Sequence, residues 1–239
     1  MKAMIFAAGL GTRLGSLTET RPKALVEVYG KTMLEQVVEY LKGFGIGDII
    51  INTHHFGDMI TEFVRKKNHF GIHIEFSDER DELMDTGGGL IKASHFFKDG
   101  KPFIAHNVDV LSKTDLNKLL EQHNNSNALA TLVVKKRNTS RYLLTDKKGF
   151  ICGWRNTKTS EEIVVKEADE LNDIAFSGIQ LIDPEVFNYN KLFGKFSLTK
   201  MYLELAKTQN IGTYIDEGPW FDLGSPENIT EAESSFFNK

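Results

Sequence analysis

At 239 residues the chain is long enough for one large domain with a full core, and 41% hydrophobic with 26% charged residues is ordinary for a soluble globular protein. A net charge of −4 removes any bulk attraction to nucleic acid, so local cations must handle any phosphate. The single cysteine, Cys152, excludes an internal disulfide. With no signal-peptide pattern after Met1-Lys2-Ala3-Met4 and no apolar run of membrane-spanning length, the expectation is a cytoplasmic protein with no membrane and no nucleic-acid partner.

Residues 3–8 read as a strand, and the polar loop after it, Ala7-Ala8-Gly9-Leu10-Gly11-Thr12-Arg13-Leu14, has no regular period. Residues 32–44 read as a helix, with Thr32 as its cap, Glu35 closing a capping box, and Gly43 and Gly45 at its end. Strands follow at Ile49–Ile51, His73–Phe76, Pro102–Ala105 and Leu129–Val134, alternating with helices over Asp58–Lys67, Gly89–Phe97 and Asp115–Gln122. Such alternation predicts a parallel sheet with helices on both faces, and a ligand crevice beyond the carboxyl ends of its strands. Residues 141–182 carry strand-like runs split by polar turns and read as an antiparallel extension of the same single domain, 1–239. Within it, the charged stretch Arg155–Asn172 is either a moving flap or a solvated hairpin. A helix over 196–207 and a last one opened by Ser225-Pro226 complete the chain.

The first loop outlines a phosphate cradle. Its two glycines let backbone N–H groups turn toward an anion, and Arg13 and Lys23 add cations. A dinucleotide fingerprint fails at Leu14, which stands where a third glycine is needed. A P-loop ending in Gly30-Lys31-Thr32 fails at Leu25 for the same reason. Asp109 stands just after a strand, where one carboxylate plus phosphate oxygens suits a hard cation such as Mg²⁺. A second carboxylate is wanted; Asp222 between bulky apolar residues is a candidate, with Asp216 and Glu217 as rivals read as rim charges. Asp85-Thr86-Gly87-Gly88-Gly89 precedes a helical stretch, and its glycines would let a flat ring or ribose lie on the backbone. His54-His55 has no third ligand at a recognisable spacing and reads as a capping or surface pair.

Ala7–Arg13 with Arg21-Pro22-Lys23-Ala24-Leu25 resembles the signature of the sugar-1-phosphate nucleotidyltransferases. The likeness runs over nearly the whole chain, and is weakest between roughly residues 135 and 172. Within that family it is similar to N-acetylmuramate 1-phosphate uridylyltransferases and to mannose- or heptose-1-phosphate guanylyltransferases. The resemblance implies a Rossmann-like three-layer α/β/α sandwich with a mostly parallel mixed sheet, of the nucleotide-diphospho-sugar transferase type. It implies a reaction in which a nucleoside triphosphate and a sugar 1-phosphate give a nucleotide sugar and pyrophosphate. Asp109 and Asp222 are then the Mg²⁺ ligands. Ala8, Gly9, Gly11, Thr12, Arg13, Lys23, Asp85, Gly87, Gly88 and Asn107 hold the nucleotide. Asn172, Ser177 and Arg141 face the sugar, on the side of the antiparallel extension. Arg13 stabilises the leaving pyrophosphate, and Lys23 bridges the two reacting phosphates. Val108 departs from the family pattern, which has glycine there. Expected assembly is a monomer or small homo-oligomer. The rival readings are a non-catalytic nucleotide-sugar sensor, which keeps the glycines but loses a charge, and a phosphocholine cytidylyltransferase, against which the Asp85–Gly89 run speaks.

Overall fold

The computed structural model describes residues 1–236. Its strands are β1 (Lys2–Phe6), β2 (Glu27–Val28), β3 (Lys31–Thr32), β4 (Asp48–Thr53), β5 (His73–Asp78), β6 (Phe103–Asn107) and β7 (Val110–Ser112). The second half adds β8 (Ala130–Lys135), β9 (Arg141–Thr145), β10 (Ile151–Asn156), β11 (Glu161–Val164), β12 (Asn172–Ile182), β13 (Ile211–Ile215) and β14 (Trp220–Asp222). The helices are α1 (Met33–Gly43), α2 (Gly57–Lys66), α3 (Asp85–Lys92), α4 (Leu116–Asn124), α5 (Val186–Tyr189), α6 (Leu198–Ala206) and α7 (Pro226–Ser235).

Ten strands form one sheet. One side of it is parallel: β5 at the edge, then β4, β1 and β6, lie side by side and run the same way. The direction then reverses, with β12 antiparallel to β6, and β8 and β9 antiparallel to β12. β9, β10 and β11 continue outward as the expected antiparallel extension, and β13 pairs parallel with β8. Side chains alternate across this sheet with the two-residue strand period. Ala3, Ile5, Ile49, Ile51 and Ile104 join the core under α1, α2, α4 and α7; Met4, Phe6, Ile50, Phe103 and Ala105 join the core under α3 and α6. Both faces are therefore dry, which is why the central strands read as continuous apolar runs. The result is the expected α/β/α sandwich.

Helix starts follow their caps. Thr32 accepts from the Glu35 amide at 3.1 Å, a bond worth about 1 kcal/mol, and Asp115, Ser197 and Ser225 cap α4, α6 and α7 in the same way. Glu35 does not close a capping box; its carboxylate reaches Lys67 at 2.8 Å. The helix expected from Gly89 starts four residues earlier, at Asp85, and ends at Lys92, so the glycine run lies inside its first turns. Residues 155–172 contain an edge hairpin, with β11 exposed along its length and paired to β10.

Candidate active site

The parallel strands end level with one another. Asn52, Phe6 and Asn107 stand side by side across β4, β1 and β6, and Ser77 continues the row on β5. Every loop at this edge therefore opens into one crevice, as the strand order requires. The first loop turns at Gly11, whose φ of 69° suits a residue without Cβ. A Cβ there would also come 3.0 Å from both Lys23 Cβ and Thr18 Cγ2, so the glycine lets Lys23 lie against the loop. Thr18 Oγ1 sits 3.1 Å from the carbonyls of Gly11 and Gly15 and ties the two bends together. Gly9, Leu10, Thr12 and Arg13 are exposed on the crevice edge. Ala8 is not: it is buried, and the Ala7 and Ala8 amides donate to Asn52 Oδ1 at 2.7 and 3.3 Å. The early amides thus hold the loop in place, and its exposed groups lie further along it.

Both candidate metal carboxylates come to this loop. β7 and β14 form a two-stranded ribbon in which Asp222 pairs with Val110, and the Leu223 amide donates to the Asp109 carbonyl at 2.7 Å. Asp109 and Asp222 are therefore neighbours across the ribbon. Asp109 sits in the turn before β7, which frees its side chain from strand alternation. It forms an ion pair with Lys23, both side chains being mostly buried. Asp222 lies 3.9 Å from Arg13. Its Oδ1 accepts from the Gly224 amide at 2.8 Å, and a Cβ on Gly224 would meet Arg13 Nη2 at 2.4 Å. So the glycine at 224 makes room for the arginine.

Val108, where the resembled family has glycine, has no left-handed φ and is buried in the core, so valine fits without backbone strain. The rival Asp216 is not a rim charge. It is buried and held by Lys135 Nζ at 3.1 Å, while the same ammonium reaches the Asp216 and Gly218 carbonyls. Two carboxylates, each already facing a side-chain cation, suit a hard divalent ion that completes its shell with phosphate oxygens and water. Among the described residues no third His, Cys, Asp or Glu converges to replace those oxygens.

The glycine run is not an open platform. A Cβ on Gly87 would strike the Phe196 ring at 2.4 Å, one on Gly88 the Gly194 carbonyl at 2.4 Å, and one on Gly89 the Glu79 carboxylate at 2.6 Å. The Gly87 and Gly88 amides both donate to the Phe196 carbonyl, so the helix start is capped by protein. Close packing explains these glycines; Asp85, at φ 58°, is exposed beside them. Asn107 ends β6 half-buried. Gly178, at φ 80° in an irregular stretch of β12, leaves the space beside its amide.

Of the three sugar-side candidates, Ser177 and Asn172 lie far apart. Ser177 is buried and its hydroxyl donates to the Val133 carbonyl at 2.5 Å. Asn172 is exposed five positions away on the same strand, roughly 16 Å at ~3.3 Å per residue. Arg141 is exposed at the start of β9. Sequence reasoning missed Arg137, whose guanidinium lies 4.5 Å over the Trp220 ring and donates to the Phe176 carbonyl. Burial pulls it below the usual arginine range while nearby Asp222 opposes the shift. It also missed Asn52 and Glu79. His54 Nδ1 contacts the Glu79 carbonyl at 2.8 Å, and His55 packs on Phe56, so this pair is structural.

A family model described as nucleotidyl transferase matches residues 2–238. A mannose-1-phosphate guanyltransferase of Yarrowia lipolytica is 30% identical over 231 residues, 96% of this chain and 62% of the relative. Several curated relatives likewise extend well beyond the chain. An N-acetylmuramate alpha-1-phosphate uridylyltransferase of Caulobacter vibrioides is 29% identical over 238 residues, 97% of this chain and 95% of the relative. In fold, the chain superposes on HddC from Yersinia pseudotuberculosis complexed with GMP-PN with a TM-score of 0.78 at 24% identity, over 98% of this chain and 99% of that one.

Proposed function

This chain belongs to the nucleotidyl transferase family, and from that premise we propose that it joins a nucleoside triphosphate to a sugar 1-phosphate and releases pyrophosphate. The carrying observation is that one loop presents Arg13 to Asp222 and Lys23 to Asp109. Two cations on this loop, each facing a carboxylate that could hold a divalent ion, suit the pairing of two polyanions. The attacking sugar phosphate is already an anion, so no general base is required. The barrier is charge repulsion, lowered by positioning and by fixed cations.

Thr12 and the exposed loop glycines cradle the triphosphate, and Arg13 neutralises the departing pyrophosphate. Lys23, held by Asp109, lies between the two reacting phosphates. A magnesium ion held by Asp109 and Asp222 would supply charge neutralisation at the phosphate oxygens. Asp85 and Asn107 border the nucleoside, and Gly87 and Gly88 set the packed start of α3 beside it. Arg137, stacked on Trp220 near Asp222, adds a cation on the sugar-phosphate side. Ser177, with its hydroxyl committed to Val133, lines that side through its backbone; Asn172 and Arg141 border it from the outer strands.

UTP with N-acetylmuramate 1-phosphate is the favoured pair, supported by the uridylyltransferase relative at 29% identity over 97% of this chain. A guanylyltransferase acting on mannose or heptose 1-phosphate is the second reading, supported by the comparable identity of the longer guanyltransferase. The chain acts in the cytosol as a monomer or small homo-oligomer. Among the described residues no helix is long and apolar enough to cross a membrane. Pyrophosphate release, assayed with each of four triphosphates against a panel of sugar 1-phosphates and Mg²⁺, tests this. Release is expected with one pair above all others; triphosphate binding without release from any pair favours the sensor.

A further inference from the structure

Beneath the crevice floor, one side-chain bridge spans three strand ends. Asn52, at the end of β4, accepts the Ala7 and Ala8 amides with Oδ1 and donates from Nδ2 to Glu79 Oε1 at 2.7 Å. The other carboxylate oxygen of Glu79 accepts the Met84 amide at 3.0 Å, one residue before α3. Glu79 is fully buried, and burial raises its carboxyl above the ordinary range while Asn52 and Met84 pull the other way. Gly89 is shaped around it: a Cβ there would lie 2.6 Å from Glu79 Oε1 and 3.0 Å from Asn52 Nδ2. A buried carboxylate is costly to retain for packing alone, since an apolar side chain of equal size fills space without desolvating a charge. What this one does is connect two loops that have no strand pairing between them.

We propose that the Asn52–Glu79 bridge is a positioning device for the nucleotide, setting the spacing between the phosphate loop and the nucleoside segment at α3. Neither side chain touches substrate; both of Glu79's oxygens are engaged by protein, so it orients the segment rather than reading the base. Resting on the nucleotidyl-transfer reading, the inference assigns the bridge a role in triphosphate binding and little in binding the sugar phosphate, whose cations Lys23 and Arg137 are anchored separately, by Asp109 and by the Phe176 carbonyl.

The bond pattern allows an exchange test. In Asn52→Asp two carboxylate oxygens face each other. In Glu79→Gln one amide must set its NH₂ against a donor. In the double variant the 52–79 bond returns with donor and acceptor exchanged, Asp at 52 accepting from Gln at 79, while the Ala7, Ala8 and Met84 amides donate as before. Steady-state kinetics of the native chain and the three variants, with UTP and GTP and the active sugar phosphate, are read beside their melting temperatures. Each single substitution is expected to raise KM for the triphosphate at least tenfold and leave KM for the sugar phosphate within twofold. The exchange variant should return triphosphate KM to within threefold of native. If the single variants do not fold, Glu79→Asp, one methylene shorter with its charge kept, carries the same comparison. Folded variants with native triphosphate KM, equal rises for both substrates, or a folded exchange variant that restores nothing would overturn the inference alone. A native chain that binds neither nucleotide would remove the functional reading, and the inference with it.

Discussion

On the phosphate side of the crevice, Phe6, Asn52 and Asn107 are set side by side by strand pairing, and side-chain bonds lock the loops that follow them. On the sugar side, Ser177 is turned inward and Asn172 lies far along the same strand, while Arg141 belongs to another. Parallel strands joined by helical crossovers all end at one edge, so their loops must meet. An antiparallel extension sends its turns to both ends and spreads its residues along its length. In the proposed function the phosphate half is therefore a fixed constellation and the sugar half a more open surface.

The largest break in that contrast should come from the fixed cations. Arg13→Ala or Lys23→Ala is expected to cut turnover roughly 10²–10³-fold, about 3–4 kcal/mol, with little change in melting temperature. Near-native turnover in both would mean the phosphate half is not preorganised. A subtler break is Gly224→Ala, which places a methyl where the Arg13 guanidinium now lies. Turnover should fall about tenfold or more through displacement of that cation, and a crystal structure of the variant should show Arg13 moved.

His106 sharpens the same contrast through stability. It lies buried on β6 in the fixed half, its Nδ1 paired with the Asn107 carbonyl at 2.8 Å and its Nε2 without a partner among the described residues. Burial pushes it down to about 4. The folded state therefore prefers the neutral ring, and as pH falls the unfolded chain takes up the proton first. The associated stability is full above 6.5 and is lost on acidification toward 4, about 3 kcal/mol in all. Denaturant unfolding of native and His106→Gln protein should show their stability difference changing across that window in the variant's favour; parallel pH profiles would contradict it.

The smallest effects belong to the sugar half. Ser177→Ala should cost about 1 kcal/mol of stability by removing the bond to Val133, with sugar-phosphate KM unchanged. A large KM effect there would show that the hydroxyl turns toward substrate.

The same contrast governs how much of the molecule could be read from its residues. Apolar runs and caps marked the central strands and α1, α4 and α7, because burial on both faces and N-terminal bonding leave local signals. Asp109 was visible as a carboxylate ending a strand. Asp222 needed the family resemblance, since the ribbon with β7 is a pairing of distant segments. Likewise, nothing local separates Asp216 from it; only the Lys135 clamp does. The glycines at 87, 88 and 89 were legible as a motif, but their packing partners Phe196, Gly194 and Glu79 were not, because these are tertiary neighbours. Asn52, Glu79 and Arg137 carried no local pattern, since each acts through a bond made by folding.

In the proposed site Asp109 and Asp222 share one divalent ion beside the phosphate loop. Electron paramagnetic resonance with Mn²⁺ substituted for Mg²⁺, recorded with the bound triphosphate in native, Asp109→Asn and Asp222→Asn protein, tests it most directly. One tightly bound ion in the native protein, lost or much weakened in each variant alone, is the predicted result. Undiminished binding in either single variant would contradict the shared site.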